Sequence, residues 1–276
     1  MNTNSSPTIS KWLAEASKKL AQAGISTARL DCLVLLEDMT KVERSSLLAH
    51  PEKTLSEAEI KRLNDQITRR MAQEPLAYIR GRTEFYGRSF KIDHRVLEPR
   101  PESETMIDLL KRLPGLDQSV IADIGTGSGA LAITAKLEVP YARVMAIDND
   151  PKCLTVAKIN AKNLGTTISF YKGDLIKPLA KLNAERLILL CNLPYVPDNF
   201  QINPAAMREP RQAIFGGPDG LDVYRKLFDQ LSKMSNKSIT VLTEALPPQH
   251  QALSSTAYNH GFNLQTSQDF IQQYTN

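Results

Sequence analysis

The sequence predicts an α/β protein in which a small helical domain and a β-hairpin precede a parallel-sheet domain. Apolar residues recur at helical spacing between residues 8 and 72, and from about residue 119 short apolar strands alternate with helical runs. Such alternation is typical of a parallel sheet covered by helices on both faces. We therefore expect residues 1–75 to form the helical domain, 76–104 a hairpin and linker, and 105–276 the sheet domain.

The helical domain is predicted from amphipathic runs with recognisable ends. Gly24 follows the first run as a stop signal, and Ser56 and Glu59 have the spacing of a capping box at the start of the last run. Residues 78–92 contain aromatic and β-branched residues and two glycines, a pattern that predicts a hairpin. The segment "VLEPRPESE", residues 96–104, contains two prolines and is predicted to be stiff; we call it the connector.

The sheet domain is predicted from five short apolar segments with helical runs between them. A parallel sheet binds ligands at the carboxyl ends of its strands, and all the motifs described next lie at such ends. The strands are expected at 119–124, 143–148, 168–174, 186–192 and 238–245, and the helices at 128–138, 151–164, 220–234 and 248–260.

Composition excludes several classes of protein. No apolar run approaches the ~18 residues of a transmembrane helix, and the N-terminus lacks the basic and apolar regions of a secretory signal, so we expect a cytoplasmic monomer without a membrane contact. Three scattered cysteines and four scattered histidines predict neither disulfides nor a metal site. The net charge of +4 resides in residues 1–95, with 16 Lys/Arg against 12 Asp/Glu, which weakly favours an acidic partner, protein or RNA.

A glycine-rich turn after the first predicted strand indicates a nucleoside site. Residues 125–129, which we call the glycine loop, read Gly-Thr-Gly-Ser-Gly, a shorter spacing than that of dinucleotide-binding loops. This form suits a ligand without a pyrophosphate, such as S-adenosylmethionine. Asp148 ends the next strand, where a carboxylate can accept both ribose hydroxyls. Asp174 and Leu175, after the third strand, are expected to border the adenine.

The fourth strand ends in Asn192, Leu193, Pro194 and Tyr195, which we call the elbow. Leu193 precedes a proline and is therefore expected to be extended, with a fixed carbonyl direction. Its carbonyl oxygen and the side-chain oxygen of Asn192 can together accept both hydrogens of a planar NH2 group, while the Tyr195 ring packs on the adjoining flat group. Together with the glycine loop, the elbow resembles that of methyltransferases that act on planar NH2 groups, whose targets are adenine, cytosine or the side-chain amide of glutamine.

The sequence resembles the PrmC/HemK family, whose members methylate the glutamine of the Gly-Gly-Gln motif in peptide chain release factors. The resemblance runs from about residue 9 to 244 and is carried by the N-terminal helices, the connector, the elbow and "REPRQAIFGGPDGLDVYR" at 208–225. It implies a Rossmann-like class I methyltransferase domain and an N-terminal domain that helps to engage the release factor. Contact with the ribosome or rRNA would then be indirect.

The resemblance also implies roles for individual residues. The elbow would grip the substrate glutamine, Asp148 would hold the ribose of the donor, and no catalytic role is expected for Arg100 and its neighbours. The methionine part of S-adenosylmethionine would be cradled by the glycine loop: Gly125, Thr126, Gly127, Ser128 and Gly129.

Two departures keep alternatives open. Leu193 replaces the family's usual proline and is common in ribosomal RNA adenine dimethyltransferases, which leaves an RNA amino-methyltransferase as an alternative. Ala245 and Leu246 replace the family's usual pair after the last predicted strand, which leaves a protein that binds the donor without catalysis as another.

Overall fold

The computed structural model describes residues 7–180, 182–234 and 237–276, and the chain divides into two compact units. One unit comprises Met1–Gly81 together with Asn203–Arg208, and the other comprises Arg82–Ile202 and Glu209–Asn276. The second segment of the helical unit comes from the middle of the sheet domain's sequence, so its placement depends on tertiary structure and is not visible in local patterns.

The helical unit packs its helices around a core of aliphatic side chains and Trp12. Arg70 and Asp31 form a buried ion pair within this unit, with 2.7 Å between Nε and Oδ2. The helices are α1 (Ile9–Gln22), α2 (Ala28–Thr40), α3 (Arg44–Ala49), α4 (Glu57–Met71) and α5 (Leu76–Arg80).

The predicted helix ends are confirmed. Gly24 follows α1 with a φ of +79°, and the Ser56 hydroxyl accepts from the Glu59 amide while the Glu59 carboxylate accepts from the Ser56 amide. The predicted start of the hairpin is wrong. Residues 78–80 belong to α5, which begins after Pro75 and ends at Gly81 with a φ of +70°; their side chains are buried wholly or partly against the unit. Burial on one helical turn outweighs their β-branched and aromatic composition.

The hairpin and the connector belong to the sheet unit. Strands β1 (Arg82–Phe85) and β2 (Arg88–Lys91) form the antiparallel hairpin. The end of the connector forms a short 3-10 turn at Pro101–Ser103, which leads directly into α6 (Glu104–Lys111).

A seven-stranded sheet forms the core of the second unit, in the order β5-β4-β3-β6-β7-β9-β8. The first five strands in this order are parallel, and β9 and β8 are antiparallel additions at one edge. The strands are β3 (Val120–Ile124), β4 (Arg143–Asp148), β5 (Ser169–Lys172), β6 (Arg186–Cys191), β7 (Ser238–Glu244), β8 (Asn263–Gln268) and β9 (Ile271–Thr275).

The remaining helices of this unit are α7 (Ala130–Glu138), α8 (Pro151–Asn163), α9 (Asp222–Leu231) and α10 (His250–Asn259). Apolar side chains on both faces of the sheet form two separate clusters, so the strands are buried on each side as predicted. The five predicted strands lie within three residues of their predicted bounds, whereas β8 and β9 are not predicted from their polar sequences.

The order of the strands brings two of the predicted motifs together. Strands β3 and β6 are neighbours, with Asp123 opposite Leu190, although about 65 residues separate them in sequence. Chain connections leave β3 toward β4 on one side and β6 toward β7 on the other, so β3 and β6 flank the switch point where open α/β sheets bind ligands. In the described segments, no helix is both long and apolar enough to cross a membrane.

Candidate active site

A cavity of about 250 Å³ opens at the carboxyl ends of the parallel strands. It lies where the glycine loop after β3 and the elbow after β6 meet; a Cβ added to Gly125 would lie 3.1 Å from the Leu193 side chain. The predicted site residues that line this cavity are Gly125, Gly127, Asp148, Asp174, Leu175, Asn192, Leu193 and Pro194.

The other residues of the glycine loop shape it without lining the cavity. The Thr126 hydroxyl donates to Asp123 Oδ2 (2.6 Å), and the Ser128 carbonyl accepts from the Asn160 side chain (2.8 Å). Gly129 has a φ of +83° at the start of α7, and a Cβ there would collide with Ile133 and Ala157. These contacts require the loop to turn tightly and leave Gly125 and Gly127 facing the cavity.

Two backbone amides hold the Asp148 carboxylate beside the glycine loop. Its Oδ2 accepts from the Gly127 amide and its Oδ1 from the Asp150 amide, both at 2.9 Å. Burial raises the pKa of this carboxyl, and the backbone donors act in the opposite direction. Because each oxygen accepts only one of these bonds, lone pairs remain for hydroxyl groups in the cavity.

Asp174 and Leu175 follow β5 on the far side of the cavity. The Asp174 carboxylate pairs with Lys226 Nζ (2.7 Å) and Lys177 Nζ (2.8 Å), and these hydrogen bonds lower its pKa. Leu175 has a φ of +53°, a left-handed conformation that is strained for a branched side chain. Such strain persists where surrounding structure enforces it, commonly at ligand sites.

The elbow presents two oxygens whose acceptor capacity is unused. Asn192 Nδ2 donates to Ser103 Oγ (2.8 Å), which directs the other half of the amide, Oδ1, away from that contact. Within the described residues, neither Asn192 Oδ1 nor the Leu193 carbonyl oxygen accepts a hydrogen bond. Both residues line the cavity, so a planar NH2 group can find two acceptors here.

Tyr195 is held by a buried carboxyl group. Its hydroxyl donates to Glu244 Oε1 (3.0 Å) at the end of β7, and Ser103 Oγ donates to Oε2 of the same side chain (2.5 Å). Burial raises the pKa of Glu244 to about 7, against the opposing effect of these two hydroxyls. Burial also raises the pKa of Tyr195, and the neighbouring Glu244 adds to that rise.

The backbone of the elbow is held by the Tyr224 hydroxyl, by residues 216–220 and by the Gln249 side chain. The Tyr224 hydroxyl lies 2.8 Å from the Cys191 carbonyl oxygen and 2.6 Å from that of Glu244, and it accepts from the Leu193 amide at 3.4 Å. The segment "GGPDG", residues 216–220, packs beside the elbow, and Gln249 Nε2 donates to the Tyr195 carbonyl oxygen (2.7 Å).

Ser103, Glu244 and Tyr224 belong to this site in the structure but were not predicted from the sequence. Ser103 belongs to the connector, which carried no expected catalytic role, yet its hydroxyl contacts the amide of Asn192. Ser103 and Glu244 are 141 residues apart, so no local spacing reveals their contact. Glu244 could have been noticed from its position, because it is a polar residue at the end of β7, which is a neighbour of β6.

In the part of the chain described, no group of three or more His, Cys, Asp or Glu side chains converges as a metal site would.

Comparison with known proteins gives the family. A model of the PrmC N-terminal domain matches residues 11–81, and a methyltransferase small domain model matches residues 103–209. A release factor glutamine methyltransferase of Moorella thermoacetica is 38% identical over 255 residues, covering 91% of this chain and 89% of its own. One of Bacillus cereus is 36% identical over 218 residues, covering 76% and 77%.

A solved structure agrees with the fold. The catalytic domain of hMettl16, solved in complex with a 3′UTR hairpin, superposes with a TM-score of 0.50 at 15% identity over 80% of this chain and 81% of that chain. At this identity the likeness concerns the fold alone. The sequence relatives decide the family, because the two cited span more than three quarters of both chains. The chain belongs to the release factor glutamine methyltransferase family.

Proposed function

We propose that this protein transfers a methyl group from S-adenosylmethionine to the side-chain amide nitrogen of the glutamine in the Gly-Gly-Gln motif of peptide chain release factors, and so modulates translation termination. The observation that carries the proposal is the pair of free oxygens on the elbow, Asn192 Oδ1 and the Leu193 carbonyl, beside the cavity. Two fixed acceptors fit the two hydrogens of one amide NH2 group and leave the nitrogen to face the donor.

The residues of the cavity fit S-adenosylmethionine. Asp148 retains lone pairs for the ribose hydroxyls, and Leu175 and Asp174 border the place for an adenine. Gly125 and Gly127 allow the methionine part to approach the backbone closely. Bound there, the donor supplies an electrophilic methyl group on a sulfonium centre.

The elbow acts by orienting and polarising the substrate amide. An amide nitrogen is a weak nucleophile because its lone pair is delocalised into the carbonyl group. Acceptors that pull both hydrogens out of the amide plane favour a pyramidal nitrogen, and fixed oxygens in a half-buried site do this without reorganising during the reaction. Asn192 and Leu193 therefore stabilise the transition state more than the planar ground state.

No strong base is required in this mechanism. The amide nitrogen would form its bond to the methyl carbon as the sulfur–carbon bond of the donor breaks, which would leave S-adenosylhomocysteine. The methylated nitrogen would then release one proton to water, while the two elbow oxygens hold its hydrogens in place. Tyr195 would pack its ring against the flat amide while Glu244 holds its hydroxyl.

We further propose that the helical unit engages the release factor and that the protein acts as a monomer in the cytoplasm. The excess of positive charge in residues 1–95 supports an acidic surface as its target. Any contact with the ribosome or rRNA would be made through the release factor.

In the decisive experiment, the protein is incubated with radiolabelled S-adenosylmethionine and either purified release factor or rRNA, in parallel reactions. We expect one methyl group on the Gly-Gly-Gln peptide by mass spectrometry, and a loss of at least about 100-fold in kcat for Asn192→Ala. The exposed Asn199 lies on the same loop, so Asn199→Ala is the matched control and should keep the activity.

Two results would overturn the proposal. One is a release factor that stays unmethylated although calorimetry shows that the protein binds the donor. The other is methyl transfer to rRNA with an affinity that falls steeply as salt rises, which is the behaviour of an RNA enzyme.

A further inference from the structure

We infer that Ser103 and Glu244 are positioning residues of the elbow: together they set which end of the Asn192 amide faces the substrate and hold Tyr195 in place. This inference rests on the proposed function and deepens it. It assigns a role to the connector, where no catalytic role is expected from the sequence. Neither residue lines the cavity, so both would act through the elbow.

A continuous hydrogen-bonded chain links the four side chains. Asn192 Nδ2 donates to Ser103 Oγ (2.8 Å), Ser103 Oγ donates to Glu244 Oε2 (2.5 Å), and the Tyr195 hydroxyl donates to Glu244 Oε1 (3.0 Å). Ser103 is 2% exposed and Glu244 0%, so water does not compete for these contacts. Three separate segments meet here: the connector, the elbow and the end of β7.

The direction of each bond determines the orientation of the Asn192 amide. Its oxygen and nitrogen ends have nearly the same shape, so packing alone does not distinguish them. Glu244 takes the only hydrogen of Ser103, which leaves Ser103 Oγ able to accept but not to donate. It therefore selects the nitrogen end of Asn192, and Oδ1 is left for the substrate. A flipped amide would present a donor to the substrate NH2 and repel it.

The same logic requires Glu244 to be ionised, because both of its oxygens act as acceptors. A proton on Oε2 would make that oxygen a donor to Ser103 Oγ and would free the Ser103 hydrogen, so Ser103 would no longer select the nitrogen end of Asn192. A proton on Oε1 would likewise oppose the hydrogen that Tyr195 donates. The charged groups that act on Glu244 are Glu102, which favours its protonated form, and Arg100, which favours its ionised form. Tyr224 contacts only the backbone of Glu244.

Ser103→Ala tests the role of the hydroxyl, and Ser103→Thr is its matched rescue because it restores a hydroxyl at the same position. We expect Ser103→Ala to lower kcat about 10- to 100-fold, the usual effect of losing a residue that orients another. KM for release factor and the calorimetric Kd for S-adenosylmethionine should change less than about threefold, since neither the docking surface nor the cavity is altered. Ser103→Thr should recover most of the lost kcat.

The pH profile tests the role of Glu244. Burial raises its pKa to about 7, so kcat of the unaltered protein should fall as the pH drops below 7. Glu244→Gln cannot ionise and offers one acceptor oxygen; it should have a low kcat and lack this fall. A purely structural Glu244 would change thermal unfolding but would leave the shape of the profile as it is.

A nuclear magnetic resonance signal gives a readout that does not depend on turnover. The side-chain NH2 resonance of Asn192, identified by its loss in Asn192→Ala, should shift with pH near 7. In Glu244→Gln this shift should be absent, and in Ser103→Ala the two hydrogens should exchange faster with water.

The outcomes separate this inference from the proposed function. If the protein methylates release factor but Ser103→Ala keeps full kcat and the Asn192 signal does not titrate, the positioning role is wrong and the proposed function stands. If release factor is not methylated while the Asn192 signal responds as described, the chain of hydrogen bonds operates and the substrate assignment is wrong.

Discussion

At the scale of single residues, the proposed grip on the substrate amide combines one side-chain oxygen and one main-chain oxygen of the elbow. The main-chain oxygen belongs to Leu193, a buried residue (3% exposed) whose side chain packs beside Gly125. In the proposed mechanism, the side chain of residue 193 affects packing and backbone stiffness, while the chemistry depends on its carbonyl group. Its amide makes only a long contact of 3.4 Å to Tyr224.

Leu193→Pro separates these two contributions. Proline would remove the long amide contact and the buried leucine side chain, so we expect a loss of about 2 kcal/mol in the free energy of unfolding. It would keep the carbonyl oxygen and stiffen the chain, so kcat should stay within about threefold of the original or rise. Methyl-transfer kinetics and urea unfolding measure the two effects separately.

The control for Leu193→Pro is Leu193→Ala, which removes the same side chain but keeps the amide. A large loss of kcat in the proline variant alone would contradict the assignment of the Leu193 carbonyl to the substrate. It would show that the amide, and its contact with the Tyr224 hydroxyl, matters for the geometry of the elbow.

Whether a part of the candidate site can be predicted from the sequence depends on how far apart its contacting residues lie along the chain. Asp148 and the glycine loop form a recognisable pattern because neighbouring strand ends impose a short, regular spacing. Asn192 is recognisable because a proline follows it closely. Ser103 and Glu244 contact each other beside the elbow although 141 residues separate them in the sequence, and only the folded chain brings them together.

At the scale of elements, the elbow depends on the segment 216–220 that packs beside it. Gly220 has a φ of +82°, and a Cβ there would collide with the Tyr195 carbonyl oxygen and with Gln249 Nε2. A Cβ on Gly216 would likewise collide with the Pro194 carbonyl oxygen. Gly216 and Gly220 are therefore required by the close approach of two backbones, which explains their position in the sequence.

Gly220→Ala should displace the elbow and lower kcat by at least about tenfold, since a displacement near 1 Å can cost about 100-fold. Gly165→Ala is the matched control: Gly165 has a φ of +65°, but a Cβ there meets nothing within 4 Å. Both variants carry the strain of a left-handed alanine, about 1–2 kcal/mol. Only the first collides with the elbow. Equal kcat in the two variants, measured by methyl transfer, would refute this role for residues 216–220.

The elements of the fold are predictable to different degrees for physical reasons. The buried strands of the parallel sheet have nearly continuous apolar sequences, and the structure has them within three residues of their predicted bounds. Strand β8 is an edge strand with mostly exposed polar side chains, so its pairing with β9 leaves no clear pattern in the sequence. Helix α5 is short, and burial determines its structure more than its composition does.

At the scale of the whole molecule, buried acidic groups connect stability with pH. Burial raises the pKa of Glu244 to about 7 and that of Asp123 to about 7 as well, and both lie in the sheet unit. Each group favours its protonated form when folded. The ionised state of Glu244, which the inferred positioning role requires, is therefore also the state in which its burial is most costly.

Stability of the sheet unit should therefore fall as the pH rises from 5 to 8, while activity rises. The ordinary pKa of Glu244 is 4.5, so between 4.5 and 7 the folded chain keeps a proton that the unfolded chain has released. This contribution to stability is complete below pH 4.5 and is lost as the pH rises through 7, at up to about 1.4 kcal/mol per pH unit.

Urea unfolding at several pH values, followed by circular dichroism, measures this contribution. Trp12 fluorescence is unsuitable because Trp12 lies in the helical unit. In Glu244→Gln the fall should be shallower by about one proton, with the part from Asp123 remaining. An identical slope in both proteins would mean that Glu244 is already ionised at pH 5, and the rise of kcat with pH would then need another group.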